Sequence, residues 1–306
     1  MEKIRPHTLS GFMELLPAPQ QKFERMLEIL RKNFALYGFA PIDTPIIESA
    51  EILLAKGGGE TEKQIYRFQK GDSDLALRFD HTVPLAKYVA LHENELCFPF
   101  RRYAIGKVYR GERAQRGRFR EFYQADIDII GDGRLDIANE AEIPSIIYKT
   151  FSQMGLHRFQ IRVNNRKILT GIAEVIGEAE KIVDITVAID KIDKIGVDGV
   201  NAELRSDGIS EEAIARLQPI INLQGTNDEK LATIAEVLRE SETGLKGVEE
   251  VRFILDTLKG VGLHNTVELD LTLARGLNYY TGAIFEVKAL DVEIGSITGG
   301  GRYDNL

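Results

Sequence analysis

The sequence predicts an α+β fold, with a mostly antiparallel sheet flanked by helices and interrupted by an inserted helical domain. Three observations lead to this prediction. A basic hairpin pattern occupies 100–131, strand patterns return near the end of the chain, and short amphipathic helices fill the residues between them. The chain has 306 residues, 43% of them hydrophobic, which is enough for one large domain or two ordinary ones. We expect a core in two parts, 1–177 and 261–306, around a helical insertion at 178–260.

The clearest helix is expected at 19–37. Its apolar side chains recur at steps of three and four residues; they are Phe23, Met26, Leu27, Leu30, Phe34 and Tyr37. Gly38 suits the C-terminal stop. The segment FAPIDTPIIE follows, and its prolines predict an edge strand. A long helix beside an edge strand could serve as a dimer contact, and a surface helix followed by a loop explains the pattern equally well.

The remaining elements follow from composition and periodicity. KGGGETE predicts a flexible loop. Strands are expected at 64–68, 75–79, 159–163, 266–273, 283–289 and 295–298, with a short strand at 186–190. Helices are expected from Val83 to about His92 and at 138–154, 167–176, 210–217, 228–240 and 247–258.

Bulk properties exclude several classes of protein. The formal net charge of −8 and pI near 5.4 argue against a protein that coats nucleic acid, although a local basic site is compatible with them. Cys97 is the single cysteine, so an internal disulfide is impossible; a reducing cytoplasm is expected, with Cys97 as a small buried hydrophobe. No stretch has the length or hydropathy of a signal peptide or membrane span. The five His lack metal-ligand spacing, so no structural metal is expected.

The hairpin at 100–131 concentrates positive charge in this acidic chain. Between Arg101 and Arg120 there are eight Lys or Arg, and Glu112 is the only acid. Guanidinium groups match phosphate oxygens, so the loop predicts phosphate binding, with a solvated charged hairpin as the alternative. The second strand places Gln124, Asp126 and Asp128 on one face by period-two spacing. Arginines beside such a row could hold a zwitterion.

Three other segments carry candidate groups. Asp80 and Thr82 lie at the start of a predicted helix, where they could cap it or receive an ammonium group. RGLNYYTG places Arg275 beside glycines and two tyrosines, which could be a hairpin turn or a cation that stabilises developing negative charge. SITGGGRYDNL has three successive glycines but matches neither a Walker loop nor a dinucleotide fingerprint.

Together these segments resemble the catalytic core of the histidyl-tRNA synthetases, a class II aminoacyl-tRNA synthetase family, over nearly the whole chain. Residues 19–48 resemble class II motif 1, at the dimer interface, and 100–131 resemble motif 2. ARGLNYYTG and SITGGGRYDNL resemble the two histidine-specific signatures, and NNRKIL also fits the family. The resemblance implies a class II synthetase-like fold.

The resemblance also implies the reaction and its partners. Histidine attacks the α-phosphate of ATP to give histidyl-adenylate and pyrophosphate, and the histidyl group then passes to the 3′ end of tRNA(His). Mg²⁺ accompanies ATP through its phosphates. A cytoplasmic homodimer without membrane attachment is expected.

The resemblance assigns roles residue by residue. Catalysis falls to Arg110 and Arg275, the first holding the α-phosphate and the histidine carboxylate and the second stabilising the transition state. The ATP-binding residues are Arg110, Glu112, Arg118 and Phe122. The histidine-binding residues are Asp80, Thr82, Arg110, Gln124, Asp128, Arg275, Tyr279 and Tyr280, with Asp128 and Tyr280 at the imidazole nitrogens. Arg113 and Gln115 are assigned to the tRNA acceptor end.

The chain departs from the family pattern in three places. Asn278 stands where Asp is common, and Asp80 replaces the glutamate of many bacterial members. Motif 3 and the anticodon-binding domain are expected after Leu306, so the natural protein is expected to be longer and this truncated piece to bind its substrates poorly or to be inactive. An alternative function is the synthetase-like regulatory subunit of ATP phosphoribosyltransferase in histidine biosynthesis, which does not aminoacylate.

Overall fold

The computed structural model describes residues 5–55, 60–115, 117–274 and 279–305. These residues form two compact units. The first contains the described residues up to Leu135 together with Lys149–Gly155, and the second contains Asp136–Tyr148 and Leu156–Asn305.

The first unit begins with a long helix and contains two small sheets. In chain order its elements are α1 (Pro17–Leu36), β1 (Ala40–Pro41), β2 (Ile47–Ser49), α2 (Ala50–Leu54), α3 (Glu60–Gln64), β3 (Arg67–Lys70), β4 (Ser73–Leu77), α4 (Thr82–His92), β5 (Phe100–Tyr109) and β6 (Glu121–Ile130). The strand orders are β1-β5-β6 and β2-β4-β3.

Helix α1 covers one face of the β5–β6 hairpin. Phe34 packs on Tyr103 with ring centroids 5.6 Å apart, and Phe23 meets Tyr123 edge-on at 5.0 Å. The helix ends as predicted, because Gly38 adopts a φ of 77° that side chains with a Cβ rarely accept. The apolar side of α1 therefore fixes which face of the hairpin remains for chemistry.

The proline-containing segment after α1 forms edge strands, as predicted. Strand β1 pairs in parallel with β5 through Ala40 and Pro41, at the edge of its sheet. The predicted strand pair that follows is also present as β3 and β4, joined by a turn at Gly71 that is tighter than expected. The loop predicted for KGGGETE is wrong in its second half, because Glu60–Gln64 is helical; its residues 56–59 lie outside the described part of the chain.

The second unit combines a four-stranded sheet with a helical block. Its elements are α5 (Ala138–Gln153, whose last turn belongs to the first unit), β7 (Phe159–Asn165), α6 (Arg166–Val175), α7 (Ile182–Ile189), α8 (Ile192–Ser206), α9 (Glu211–Ile221), α10 (Asn227–Val237), α11 (Glu242–Gly260), β8 (Val267–Leu269), β9 (Ala283–Ala289) and β10 (Thr298–Gly301). The strand order is β10-β9-β7-β8.

The core of the second unit lies where α6 and α11 cover this sheet. Ile161 and Val163 of β7 are fully buried, as are Val251 and Ile254 of α11. The two helices approach closely at two glycines that have no side chains, Gly171 and Gly244. A Cβ on Gly171 would lie only 2.5 Å from the Cα of Gly244. A larger residue there would force the helices apart.

Antiparallel pairing predominates, as predicted: among the described strands, only β1–β5 and β7–β8 are parallel. The described strands form three sheets rather than the single interrupted sheet that the sequence analysis expected. Within the described ranges, no helix is long and apolar enough to cross a membrane.

Three local expectations are wrong. The strand expected at 186–190 is instead the end of helix α7, where Ile185 and Ile189 are buried by helical packing. The strand expected at 295–298 lies instead at Thr298–Gly301, so the glycine triplet forms most of β10. Cys97 is exposed, because it lies in the irregular segment between α4 and β5 and not in the core.

Candidate active site

The β5–β6 hairpin carries Gln124, Asp126 and Asp128 in the first unit, and these three residues are called the carboxylate row below although Gln124 is an amide. Its register places Gly106 opposite Gln124, Ala104 opposite Asp126 and Arg102 opposite Asp128. Directly opposed residues share one face of a sheet, so the predicted row does lie on one face, away from α1. Gly106 has no side chain, and Arg78 and His81 occupy the space that a side chain would fill on this face.

Arg102 and Asp128 form a buried ion pair on this face. The Nη2 of Arg102 lies 2.6 Å from Oδ2 of Asp128, and the two side chains are 0% and 12% exposed. The same Nη2 lies 3.4 Å from the carbonyl oxygen of His81, to which it donates. Arg102 therefore compensates the charge of Asp128 and ties it to the segment before α4.

Asp80 caps helix α4. Its Oδ1 accepts hydrogen bonds from the backbone N–H groups of Thr82 at 3.0 Å and Val83 at 3.3 Å, so Asp80 satisfies donors of the first turn from the position before the N-cap residue, His81. Thr82 is the first helical residue and not the cap. Burial raises the pKa of Asp80, the two backbone hydrogen bonds lower it, and the nearby charges of Arg110 and Asp128 act in opposite directions. Asp80, Arg110 and Asp128 thus share one electrostatic environment.

A buried histidine contacts the backbone of Gln124 in the carboxylate row. His81 is 2% exposed, and its Nε2 lies 3.3 Å from the backbone oxygen of Gln124. A carbonyl only accepts hydrogen bonds, so this contact requires the proton on Nε2. Burial lowers the pKa of His81 to about 4, with the charges of Arg78 and Arg102 adding to the effect.

Gly106 makes the approach of His81 and Arg78 possible. A Cβ at this position would lie 2.4 Å from Nη2 of Arg78 and 3.3 Å from Cε1 of His81. Arg78 is 2% exposed, and its Nε donates to the backbone oxygen of Lys107 at 2.8 Å. The missing side chain therefore allows buried cationic and imidazole groups over the hairpin.

Gln124 and Asp126 are hydrogen-bonded neighbours on the row. The Nε2 of Gln124 donates to Oδ2 of Asp126 at 3.1 Å. The Oε1 of Gln124 is shielded from solvent and has no partner among the described residues. Burial raises the pKa of Asp126 to about 7, with the charges of Asp128 and Asp80 adding to the increase and Arg102 opposing it.

Arg110 is held in place at the end of β5. Its guanidinium carbon lies 4.3 Å from the ring centroid of Phe79 and 5.1 Å from that of Phe122. Its Nε donates to the backbone oxygen of Phe79 at 3.3 Å. Stacking of this kind fixes the plane of a guanidinium group, so Arg110 is a preorganised cation.

The arginine-rich loop is anchored at its base and exposed at its tip. The backbone N–H of Arg120 donates to Gly11 at 2.7 Å, and that of Arg110 donates to Arg120 at 2.9 Å. Arg118 pairs with Glu112 at 3.4 Å, with side chains 55% and 21% exposed. At the tip, Arg113 and Gln115 are exposed; Arg116 lies outside the described residues.

The second unit holds the two tyrosines of the first signature. Their rings stack at a tilt, with centroids 4.8 Å apart, and Tyr280 is 9% exposed. Arg302, from the glycine-rich signature, donates to Oε1 of Glu140 at 2.8 Å. A Cβ on Gly282 would lie 2.9 Å from the Arg302 side chain, so this glycine admits the arginine. Arg275 and Asn278 lie outside the described residues.

Sequence reasoning did not single out Arg102 or His81. Both side chains are buried. Arg102 belongs to a run of basic residues, and such a run usually indicates a solvent-exposed segment. The signal that could have found Arg102 is the hairpin register, since pairing Gly106 with Gln124 places Arg102 opposite Asp128. No group of three or more His, Cys, Asp or Glu in the described ranges is arranged to hold a metal ion.

A mostly antiparallel framework that presents a fixed arginine beside a row of carboxylates, with an arginine-rich loop above, defines a class II aminoacyl-tRNA synthetase core. The comparison with protein families agrees, since the model described as "Histidyl-tRNA synthetase" matches residues 11–306. The chain belongs to the histidyl-tRNA synthetase family, and its homologues are aminoacyl-tRNA ligases.

Similar proteins support this membership. A histidine--tRNA ligase of Bacteroides fragilis is 54% identical over 99% of this chain and 71% of its own, and one of Clostridium tetani is 52% identical over 99% and 69%. The crystal structure of histidyl-tRNA synthetase from Nostoc sp. PCC 7120 superposes with a TM-score of 0.90 at 38% identity, over 99% of this chain and 70% of that chain.

A more distant structure bears on the alternative function. The Bacillus halodurans protein titled "ATP phosphoribosyltransferase regulatory subunit/histidyl-tRNA synthetase" has a TM-score of 0.85 at 22% identity, covering 99% of this chain and 77% of that chain. At this identity only the fold is shared. The regulatory-subunit alternative therefore has a distant structural neighbour and no close relative among these matches.

Proposed function

We propose that this chain forms histidyl-adenylate from histidine and ATP and transfers the histidyl group to tRNA(His). The observation that carries the proposal is a fixed arginine, Arg110, whose charge acts on the partly buried carboxylate of Asp80, in a chain 54% identical to a histidine--tRNA ligase. A phosphate and an ammonium group need these opposite charges. The first step is a displacement at phosphorus, in which positioning and electrostatics supply the rate.

Arg110 is the proposed contact for the α-phosphate and the histidine carboxylate. Its guanidinium group is already oriented by Phe79 and Phe122, so little reorganisation accompanies the growth of negative charge on phosphate oxygens. Arg118 is proposed for the outgoing phosphates, Glu112 for the adenine amino group and Phe122 for stacking on adenine. Mg²⁺ enters as the ATP complex.

The carboxylate row is proposed to receive histidine. Asp80, Thr82 and Gln124 bind its α-amino group, and Asp128 binds an imidazole nitrogen. Burial raises the pKa of Asp80, and an ammonium group would restore the favourable charge environment that water supplied. Tyr279 and Tyr280 are further proposed histidine contacts, and Arg275 is the proposed stabiliser of the transition state.

The remaining assignments concern partners. Arg113 and Gln115 are proposed to contact the tRNA acceptor end, since exposed loop side chains are accessible to RNA. A homodimer in the cytoplasm is proposed, with 178–260 as an inserted helical domain between core segments 1–177 and 261–306.

The experiment that tests the proposal is histidine-dependent ATP–pyrophosphate exchange with the full natural polypeptide. We expect exchange with histidine and none when histidine is omitted. The regulatory-subunit alternative predicts no exchange with saturating histidine and ATP, so that result would overturn the synthetase proposal. Transfer to tRNA(His) is then measured with radiolabelled histidine.

A further inference from the structure

We propose that Asp126 is a positioning residue that sets the orientation of the Gln124 side chain, so that its amide oxygen faces the ammonium group of the amino-acid substrate. This inference deepens the proposed function and rests on it, because it assumes that Gln124 binds the substrate amine. Asp126 itself has no role in that assignment.

The first step concerns the chemistry of the Gln124–Asp126 hydrogen bond. An ionised carboxylate has no proton to donate and can only accept hydrogen bonds. Nε2 of Gln124 donates to Oδ2 of Asp126 at 3.1 Å, so the amide presents its NH₂ group to Asp126, and the ionised form of the carboxyl enforces this orientation. The amide oxygen is then directed away from Asp126. Burial raises the pKa of Asp126 to about 7, so this orientation is enforced above that pH, and the exchange measurements that test the inference are made there.

The second step concerns what the amide oxygen meets. Oε1 of Gln124 is shielded from solvent and has no partner among the described residues. A buried acceptor without a donor costs free energy, and a ligand ammonium group is a donor of the kind it lacks. An amide in the opposite orientation would present NH₂ to the ammonium group and repel it.

The third step shows that other groups hold the rest of Gln124 and Asp126 in place. His81 fixes the backbone of Gln124 through its Nε2 contact. Across the hairpin, Asp126 faces Ala104, which offers no competing donor from its side chain. Arg102 pairs with Asp128, which leaves the Gln124 amide as the hydrogen-bond donor that the structure places on Oδ2 of Asp126.

The test compares variants of the full-length protein at residues 124 and 126 by histidine-dependent pyrophosphate exchange. An asparagine at 126 can either donate or accept, so Asp126→Asn no longer enforces the orientation of Gln124. We expect the KM for histidine to rise about 10- to 100-fold, the range for a lost hydrogen bond to a charged group. The KM for ATP should change much less. Asp126→Glu, which keeps an acceptor-only carboxylate, should recover part of the loss.

The Gln124→Met background separates positioning from a direct charge effect. If Asp126 acts through Gln124, Asp126→Asn adds little to the KM for histidine once residue 124 can no longer form hydrogen bonds. An equal increase in both backgrounds would overturn the inference, as would an unchanged KM in Asp126→Asn. Absence of exchange in the wild-type protein would instead contradict the proposed function, so the two failures are distinguishable.

Discussion

Arg102 and Asp128 face each other across the β5–β6 hairpin, and their charged atoms lie 2.6 Å apart. Arg102 is fully buried, and its Nε and Nη1 have no partner in the described part of the chain. The ion pair with Asp128 is therefore important for stability, because a buried cation that loses its counter-charge destabilises the fold strongly.

Arg102→Leu should lower the free energy of unfolding by about 3–5 kcal/mol, because it leaves the Asp128 carboxylate without its counter-charge. Adding Asp128→Asn should recover part of this loss, since no buried charge is then unpaired. Chemical denaturation measures both. Arg118→Leu is the control, because its ion pair with Glu112 is exposed and such pairs contribute at most about 1 kcal/mol. Additive effects of the two hairpin substitutions would contradict the prediction.

Gly106→Ala should destabilise the first unit by about 1–3 kcal/mol, because the new methyl group must displace buried Arg78 or His81. The matched control is Gly260→Ala, at the end of α11, where a Cβ meets nothing within 4 Å. That substitution should be neutral or slightly stabilising. Urea unfolding midpoints compare the two, and equal effects would show that the space above the hairpin adapts easily.

Asp126→Asn should become more stable relative to the wild type as pH rises. Burial raises the pKa of Asp126 in the folded protein to about 7, against 3.8 for an ordinary aspartate. Between these values the folded state holds a proton that the unfolded state releases, so the wild type loses stability from about pH 4 to pH 7. Asparagine does not titrate, and the difference should grow by about 4 kcal/mol across this window.

Denaturation at several pH values measures this difference. The groups that face Asp126 are Asp128, Arg102 and Asp80, which contribute charge, and Gln124, which donates a hydrogen bond. Asp74→Asn serves as the control: its hydrogen bond with Arg67 lowers the pKa of Asp74, so it should show no change between pH 5 and pH 8. A flat difference for Asp126→Asn would refute the prediction.

Arg275→Ala and Arg113→Ala should affect different steps. Losing the proposed transition-state cation should cut adenylate formation by about 10²- to 10³-fold, by analogy with the loss of one oxyanion donor. Losing the exposed loop arginine should leave pyrophosphate exchange near the wild-type rate and raise the KM for tRNA in aminoacylation. Exchange and aminoacylation rates on both variants separate the steps. Little change in exchange for Arg275→Ala would remove it from its proposed role.

The spacing of apolar residues predicted those helices and strands that bury one face along their whole length. The hairpin and α1 have clear period-two and helical patterns, and both form within a few residues of the predicted bounds. The segment TVAID has β-branched residues that favour a strand, yet Ile185 and Ile189 are one helical turn apart and both are buried. Tertiary burial overrides local propensity there.

The site was predictable where chemistry follows from residue type, and less so where it follows from pairing. The row of Gln124, Asp126 and Asp128 was visible in the sequence because strand residues alternate. The ion pair of Arg102 with Asp128 depends on the register of the hairpin. That register cannot be read from the sequence, because the loop between the two strands is long. For Asp80 the sequence allowed two roles, a helix cap and a contact to the ligand. The two roles are compatible, because Oδ1 accepts the backbone hydrogen bonds of the first turn and a carboxylate has a second oxygen for a ligand.

His81 is an imidazole that remains uncharged beside the row proposed to receive histidine. With a pKa of about 4, it carries no positive charge at neutral pH and does not compete electrostatically with an incoming cation. Its own titration is complete well below pH 6. Any midpoint between pH 6 and pH 8 in the affinity for histidine therefore has to come from other groups, such as Asp126 or the ligand, which makes the pH profile of this site interpretable.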